Sequence, residues 1–374
     1  MARLAGRIAR LIVALLALAL AIPAAGLAYG WLTTAALEAT PPNEADGAPT
    51  EALRAEAAAG IEAYRRPEEA TYLTYPEWAI VYAARDYAGF VAEADESGFA
   101  YWAYIGRFWQ DYATVIRATA DYPFNAGNHV MLLVIGTSHT VEHAIQWAWE
   151  NTLGRLSAVA AGGRKTAQDR FLAAMAADYA AFLDQVPWYR FAYDERRAAL
   201  WRTETAPGLA ALRSWERRLA FGLALSIKQA YAGLITAGLG ATYDPALTDI
   251  NVWAAGPVAS AISGEADTRL QKDLGDHGAV FVTRRYQVFT EMIPRLIASG
   301  VRFVEIGGND DILVTVVSND EIAVPAGARA IFAYQLPARP AVRRTGLAVP
   351  VRRLHAILPA LAAAGAGLEH VYDY

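Results

Sequence analysis

From Leu11 to Leu32 the chain reads LIVALLALALAIPAAGLAYGWL, an apolar stretch with no charged residue. Twenty-two residues at about 1.5 Å each make a helix of roughly 33 Å, enough to span a hydrocarbon core of about 30 Å. Arg3, Arg7 and Arg10 precede it without an acidic neighbour, and such flanks place an N-terminus in the cytoplasm. The same stretch also reads as a cleavable signal sequence: Pro23 ends a shorter apolar region, and Gly26-Leu27-Ala28 offers small residues at a cleavage position. Residues 1–32 are therefore expected to be a transmembrane anchor or a signal sequence. Residues 33–50, Pro-rich and acidic, read as a linker.

Helical patterning dominates residues 51–245, an aromatic-rich region in which Pro76-Glu77-Trp78 has the form of a helix start. Two segments here are candidates for further membrane helices. One runs from Phe124 to Trp149, with aromatic residues at both ends, and the other from Leu219 to Ala241. Both contain polar residues and read equally as helices of a soluble bundle. Residues 33–122 carry 15 acidic and 6 basic side chains, whereas residues 151–218 carry 11 basic and 7 acidic. If both segments cross, the basic stretch falls on the cytoplasmic side, with Arg155, Arg213, Arg217 and Arg218 close to the spans. One anchor with a helical bundle and three spans both remain open. Tyrosine and tryptophan crowd between Tyr64 and Tyr122; they pack a core or sit at an interface, or they line a pocket for an apolar ligand.

Residues 246–276 read as a second linker. After residue 277 the pattern changes to alternation and β-branched residues: GAVFVTRRY, VRFVEIGG, DILVTVVS, ARAIFAYQL, TGLAVPV and LEHVYDY read as strands. QVFTEMIPRLIASG and RRLHAILPALAAAG between them read as helices. The order suits a ferredoxin-like α+β domain over 277–374. Gly307, Gly308, Asn309 and Asp310 read as a hairpin turn that also accounts for Asp311. The last thirty residues are similar to the closing β-α-β of ACT-type regulatory domains. Pro350 stands at the strand–helix junction where that family places a glycine and a polar residue, so the resemblance implies fold and not ligand binding. The expected fold class is thus α+β: an N-terminal anchor, a mainly helical middle with two candidate membrane helices, and a C-terminal ferredoxin-like domain.

Composition narrows the chemistry. The 374 residues are 55% hydrophobic and 19% charged, fewer charges than the roughly 25% of ordinary soluble domains. With no cysteine, disulfides, thiolate metal sites and cysteine nucleophiles are excluded. Net charge is −5, so there is no basic field for nucleic acid. Walker A, G-x-G-x-x-G, G-x-S-x-G and C-x-x-C-H motifs are missing, which disfavours nucleotide-driven, elbow-serine and c-type haem chemistry.

Two constellations carry candidate chemistry. His139, Glu142 and His143 share one helical face, the ligand set of zinc or non-haem iron in the H-x-x-E-H spelling of inverted zinc peptidases. His129 lies about 21 Å away along the same helix and cannot share that ion. Glu142 and Lys228 fall near the middles of the two candidate spans, and Lys228 is one of only 3 lysines in the chain. An intramembrane ion pair, or a proton or ion route, is the corresponding reading. The doubled arginines Arg284/Arg285, Arg343/Arg344 and Arg352/Arg353 could gather around an anion.

The expectation is a membrane-anchored bacterial envelope protein, in the inner membrane with its C-terminal domain in the periplasm. It acts as a non-enzymatic binding or assembly factor, with the membrane, other envelope proteins or an apolar ligand as partners. The alternatives are a membrane-associated metal-dependent enzyme built on His139, Glu142 and His143, and a proton- or ion-coupled component using Glu142 and Lys228.

Overall fold

The computed structural model describes residues 17, 20–35, 48–65, 72, 74–239 and 248–372. Most of the expected anchor and of the 33–50 linker lies outside the described residues. The chain mixes helices with two four-stranded antiparallel sheets.

The sheets are built alike. The first takes β1 (Asp249–Ala255), a short helix α10 (Val258–Ile262), β2 (Arg269–Asp273), β3 (Ala279–Arg284), helix α11 (Gln287–Ala298) and β4 (Arg302–Ile306). The second takes β5 (Asp311–Ser318), β6 (Arg329–Leu336), β7 (Arg339–Pro350), helix α12 (Leu354–Ala363) and β8 (Gly367–Val371). The spatial orders, β2-β3-β1-β4 and β6-β7-β5-β8, are the same permutation, and every pairing is antiparallel. Central strands β1 and β5 are buried on both faces, in keeping with the mostly apolar composition of DINVWAA and DILVTVVS.

α11 and α12 lie between the sheets: α11 touches β3 and β8, and α12 touches β4, β7 and β8. One continuous core results, with Val252, Phe281 and Phe303 from the first sheet, Phe289 and Ile293 from α11, Leu354 and Ile357 from α12, and Val314 and Leu347 from the second sheet. Burying each such side chain contributes about 1.5–3 kcal/mol.

These findings correct three expectations. Within the linker expected over 246–276, residues 249–273 hold β1, α10 and β2, because Ile250, Val252 and Ala254 face the shared core. The α+β region accordingly starts at Asp249, not 277, and is divided between two sheets. The turn at 307–310 closes locally through the Ile306–Asn309 bridge. Yet β4 and β5 enter different sheets, so it is a link between sheets and not a hairpin.

The helical half covers the outer faces. Helix α2 (Glu51–Ala58) starts at Thr50, whose hydroxyl accepts from Leu53 N. Ala57 and Tyr64 pack on Trp253, Leu274 and Val280 of the first sheet, so residues 51–65 belong with that sheet and not with the bundle. Helices α3 (Trp78–Glu93) and α4 (Tyr101–Ala118) bring Tyr75, Trp78, Phe108 and Tyr112 against Leu313, Ile331 and Tyr372 of the second.

Helix α1 (Leu20–Thr33) lies on α4. A Cβ at Gly26 would fall inside the Trp109 indole, and one at Gly30 on the Trp109 carbonyl oxygen, so this close approach requires small residues four apart. Helix α5 (Ala126–Trp149) runs along α4 and continues through a π-turn (Glu150–Gly154) into α6 (Arg155–Ala160). Helices α7 (Ala167–Leu183), α8 (Tyr193–Arg202) and α9 (Ala210–Leu239) complete the bundle. α7 opens with a reciprocal capping box between Thr166 and Asp169.

Ala88 and Val91 of α3 pack on Ala176 and Ala180 of α7. α3 precedes α5 in the chain and α7 follows it, so a crossing by α5 alone would separate two helices that are here in contact. Among the described residues one helix, Ala210–Ala237, is long and apolar enough to cross a membrane; Leu20–Thr33 is a shorter apolar helix.

Candidate functional site

α9 is amphipathic in reverse. Leu212, Trp215, Leu219, Leu223, Ile227 and Leu234 are exposed, Leu223 by 64%, while Arg213, Arg217 and Arg218 on the other side are buried, Arg217 completely. The spacing of three and four residues makes the apolar positions one stripe. α5 and α6 carry a second stripe through Val130, Val134, Val141, Ile145, Leu156 and Val159. Two exposed tryptophan pairs accompany the stripes: Trp102 with Trp147, and Trp201 with Trp215, ring centroids 5.7 and 6.1 Å apart.

Beneath α9 lies a buried charge cluster. Arg217 donates to both oxygens of Glu216 at 2.7 Å each, and to both oxygens of Glu150 at 3.0 and 2.9 Å. Arg213 donates to Asp169, to Glu96 and to the Gly154 and Ser157 oxygens at the π-turn. Gly154 must be glycine, since a Cβ there would meet the Glu150 carboxylate at 2.5 Å. Four carboxylates (Glu96, Glu150, Asp169, Glu216) thus surround two arginines. Glu216 also accepts from the Trp149 indole and Ser157, whereas among the described residues the Glu150 carboxylate accepts from Arg217 alone. Burial pushes the Glu150 carboxyl up to about 7, against the opposing pull of Arg217.

A cavity of about 300 Å³ opens beside the cluster, between the α3–α4 turn (Val91, Asp95, Glu96) and the α6–α7 connection (Arg155, Val159, Arg164, Lys165). Its acids are already engaged: Asp169 and Glu96 by Arg213, and Asp95 by the Ser97 amide. Lys165 donates to the Val91 and Ala92 carbonyls at the end of α3.

The positions singled out from sequence are distributed as follows. Lys228 Nζ stands 2.7 Å from Glu142 Oε1, joining α9 to α5 at partly exposed side chains. His139 is buried against Phe108, and His143 donates Nδ1–H to the His139 carbonyl at 3.0 Å. The two rings lie 4.0 Å apart, but Glu142 turns to Lys228. No group of three His, Asp or Glu side chains converges as a metal site among the described residues. His129 bonds Tyr112 and stacks on Phe124.

Asp310 pairs with Arg54, and Asp311 accepts from Tyr72. The doubled arginines do not gather: Arg284 pairs with Asp249, and Arg344 is buried in a bidentate bond with Glu369. Tyr64 packs on the first sheet and Trp102 is exposed, while Tyr72, Tyr75, Trp78, Tyr82, Phe108 and Tyr112 close on one another and on the second sheet; a cavity of about 10 Å³ at their edge, lined by Tyr82, Tyr104 and Tyr334, has room for one water.

The Arg213–Arg217 cluster was read from sequence as charge flanking a span. Burial in ion pairs removes both arginines from that role. The signal available was their i, i+4 spacing opposite an apolar i, i+3, i+4 stripe. No protein-family model matches the chain, and no curated protein or solved structure matches it significantly.

Proposed function

We propose that this chain is a membrane-surface protein of the bacterial envelope, a non-enzymatic binding or assembly factor. The helical bundle rests on the bilayer through the α5–α6 and α9 stripes, with these helices lying along the surface. The observation that carries this reading is the reversed amphipathicity of α9, with leucine outside and arginine inside. Water disfavours that arrangement and hydrocarbon favours it. The exposed tryptophan pairs fit the interfacial zone, where an amphipathic ring meets both phases. An in-plane setting is favoured over a crossing because α3 and α7 touch, and because α4, which runs beside α5, bears the second sheet. On this reading the arginine-flanked N-terminal segment directs the chain to the inner membrane, and the body is periplasmic, in the setting expected from the sequence. The two sheets, each with the β-order of a ferredoxin-like unit, are covered on their faces, and the exposed edge strand β2 offers a surface for other envelope proteins.

Spin labels test this directly, because the chain has no cysteine. Single cysteines replacing Leu212, Leu219, Ile227 and Leu234, reconstituted in vesicles, should report one shallow depth. A depth that rises to a maximum at the centre of α9 and falls again would establish a crossing instead. Labels in water at all four positions would remove lipid as the occupant of this face.

A further inference from the structure

The cavity between the α3–α4 turn and the α6–α7 connection adjoins the apolar stripe: Val159 lines its wall and is also one of the stripe's outward residues. Arg155, on the same helix, lines it too. α6 stops at Gly162 and Gly163, whose φ values of 67° and 70° are cheap only for glycine. The Gly163 amide donates back to the Ala158 carbonyl, and the reversed chain brings Arg164 and Lys165 to the cavity. Every acid on the wall is engaged by Arg213 or a backbone amide, and Lys165 is spent on two carbonyls. The uncommitted charges are Arg155 and Arg164, both exposed and without an ion pair or side-chain hydrogen bond among the described residues. A small apolar wall, two free guanidinium groups and a 300 Å³ volume open toward a lipid-facing stripe match a phosphate carried on an apolar tail.

We propose that this cavity binds the phosphate of a lipid headgroup, with Arg155 and Arg164 as its donors and the Leu156–Val159 ridge against the acyl chains. Guanidinium suits this role because its planar fork meets two phosphate oxygens at once. The inference rests on the reading that the α5–α6 and α9 face meets lipid.

The test uses the full chain in a neutral detergent, titrated with three probes: dihexanoyl phosphatidylglycerol, dihexanoylglycerol and inorganic phosphate. The phosphatidylglycerol should bind at least tenfold more tightly than the phosphate-free glycerol. Arg155→Ala with Arg164→Ala should weaken it roughly thirtyfold, at about fivefold per basic side chain near an anionic group. The Lys pair, R155K/R164K, should retain part of the affinity. Both arginines are exposed, so an unchanged melting temperature shows that the variant is folded. Phosphatidylglycerol affinity unchanged in the alanine pair overturns the site. Inorganic phosphate binding as tightly as the lipid overturns the lipid assignment in favour of a soluble phosphate. If Arg-dependent binding persists while spin labels on α9 sit in water, the lipid-facing reading fails and the phosphate site stands.

Discussion

Glu150 offers a prediction whose sign and size both follow from geometry. Its carboxyl is 1% exposed and shares Arg217 with Glu216, so the folded chain holds a proton there up to about pH 7 instead of 4.5. Between those two values the folded state is protonated and the unfolded state is not. Stability must therefore fall as pH rises through that window, and it levels off above the folded value. At about 1.4 kcal/mol per pH unit, the full interval amounts to roughly 3 kcal/mol. Glu150→Gln removes this titration while keeping the size of the side chain and an acceptor for Arg217. Relative to the wild type, the variant should gain roughly 3 kcal/mol between pH 4.5 and 7.5. Urea unfolding of both proteins across this range gives the difference directly, and other titrating groups cancel in it. A difference that stays flat with pH, or shrinks, would refute the assignment of the proton to Glu150.

Further outcomes follow from the same structure. Arg217→Met leaves Glu150 without its cation and Glu216 with Arg213 alone, and should cost about 3–5 kcal/mol; adding Glu150→Gln should recover a measurable part, read as a coupling in a double-mutant cycle. Gly30→Leu drives a side chain into the Trp109 backbone and should destabilise by about 1–3 kcal/mol in thermal unfolding, whereas Gly233→Leu, with open space at its Cβ, should be neutral. Lys228→Met breaks a partly exposed pair and should cost no more than about 1 kcal/mol. It should also leave proton flux in proteoliposomes unchanged; a change in flux would favour the ion-coupled reading.

Local elements were legible because each is written in neighbouring residues. The strands GAVFVTRRY and DILVTVVS, and the helix QVFTEMIPRLIASG, stand where their patterns put them, as β3, β5 and α11. What the sequence concealed was partnership. β1 and β2 fell in a supposed linker, because β2 is a short exposed edge of polar residues and Asp249–Ala255 has no hairpin partner beside it. The division into two sheets turns on whether β4 pairs with β5 or with β1, a choice made by contacts some fifty residues apart. Glu142 and Lys228 could be suspected of meeting because they are rare charges in apolar runs. Arg213 and Arg217 misled for a related reason: a basic residue beside an apolar helix reads alike whether it faces phosphate or a buried glutamate. Only the fold supplies Glu96 and Glu150 from other helices to settle it.

The most direct test of the account asks whether residues before and after α9 share one side of the membrane. Single cysteines replacing Glu195, exposed on α8, and Asp320, exposed after β5, would be treated with a membrane-impermeant thiol reagent in intact spheroplasts. The account expects both to be labelled, as a body lying on the outer surface requires. Labelling at 320 with protection at 195, reversed only on permeabilisation, would contradict it and make α5 and α9 membrane-crossing helices.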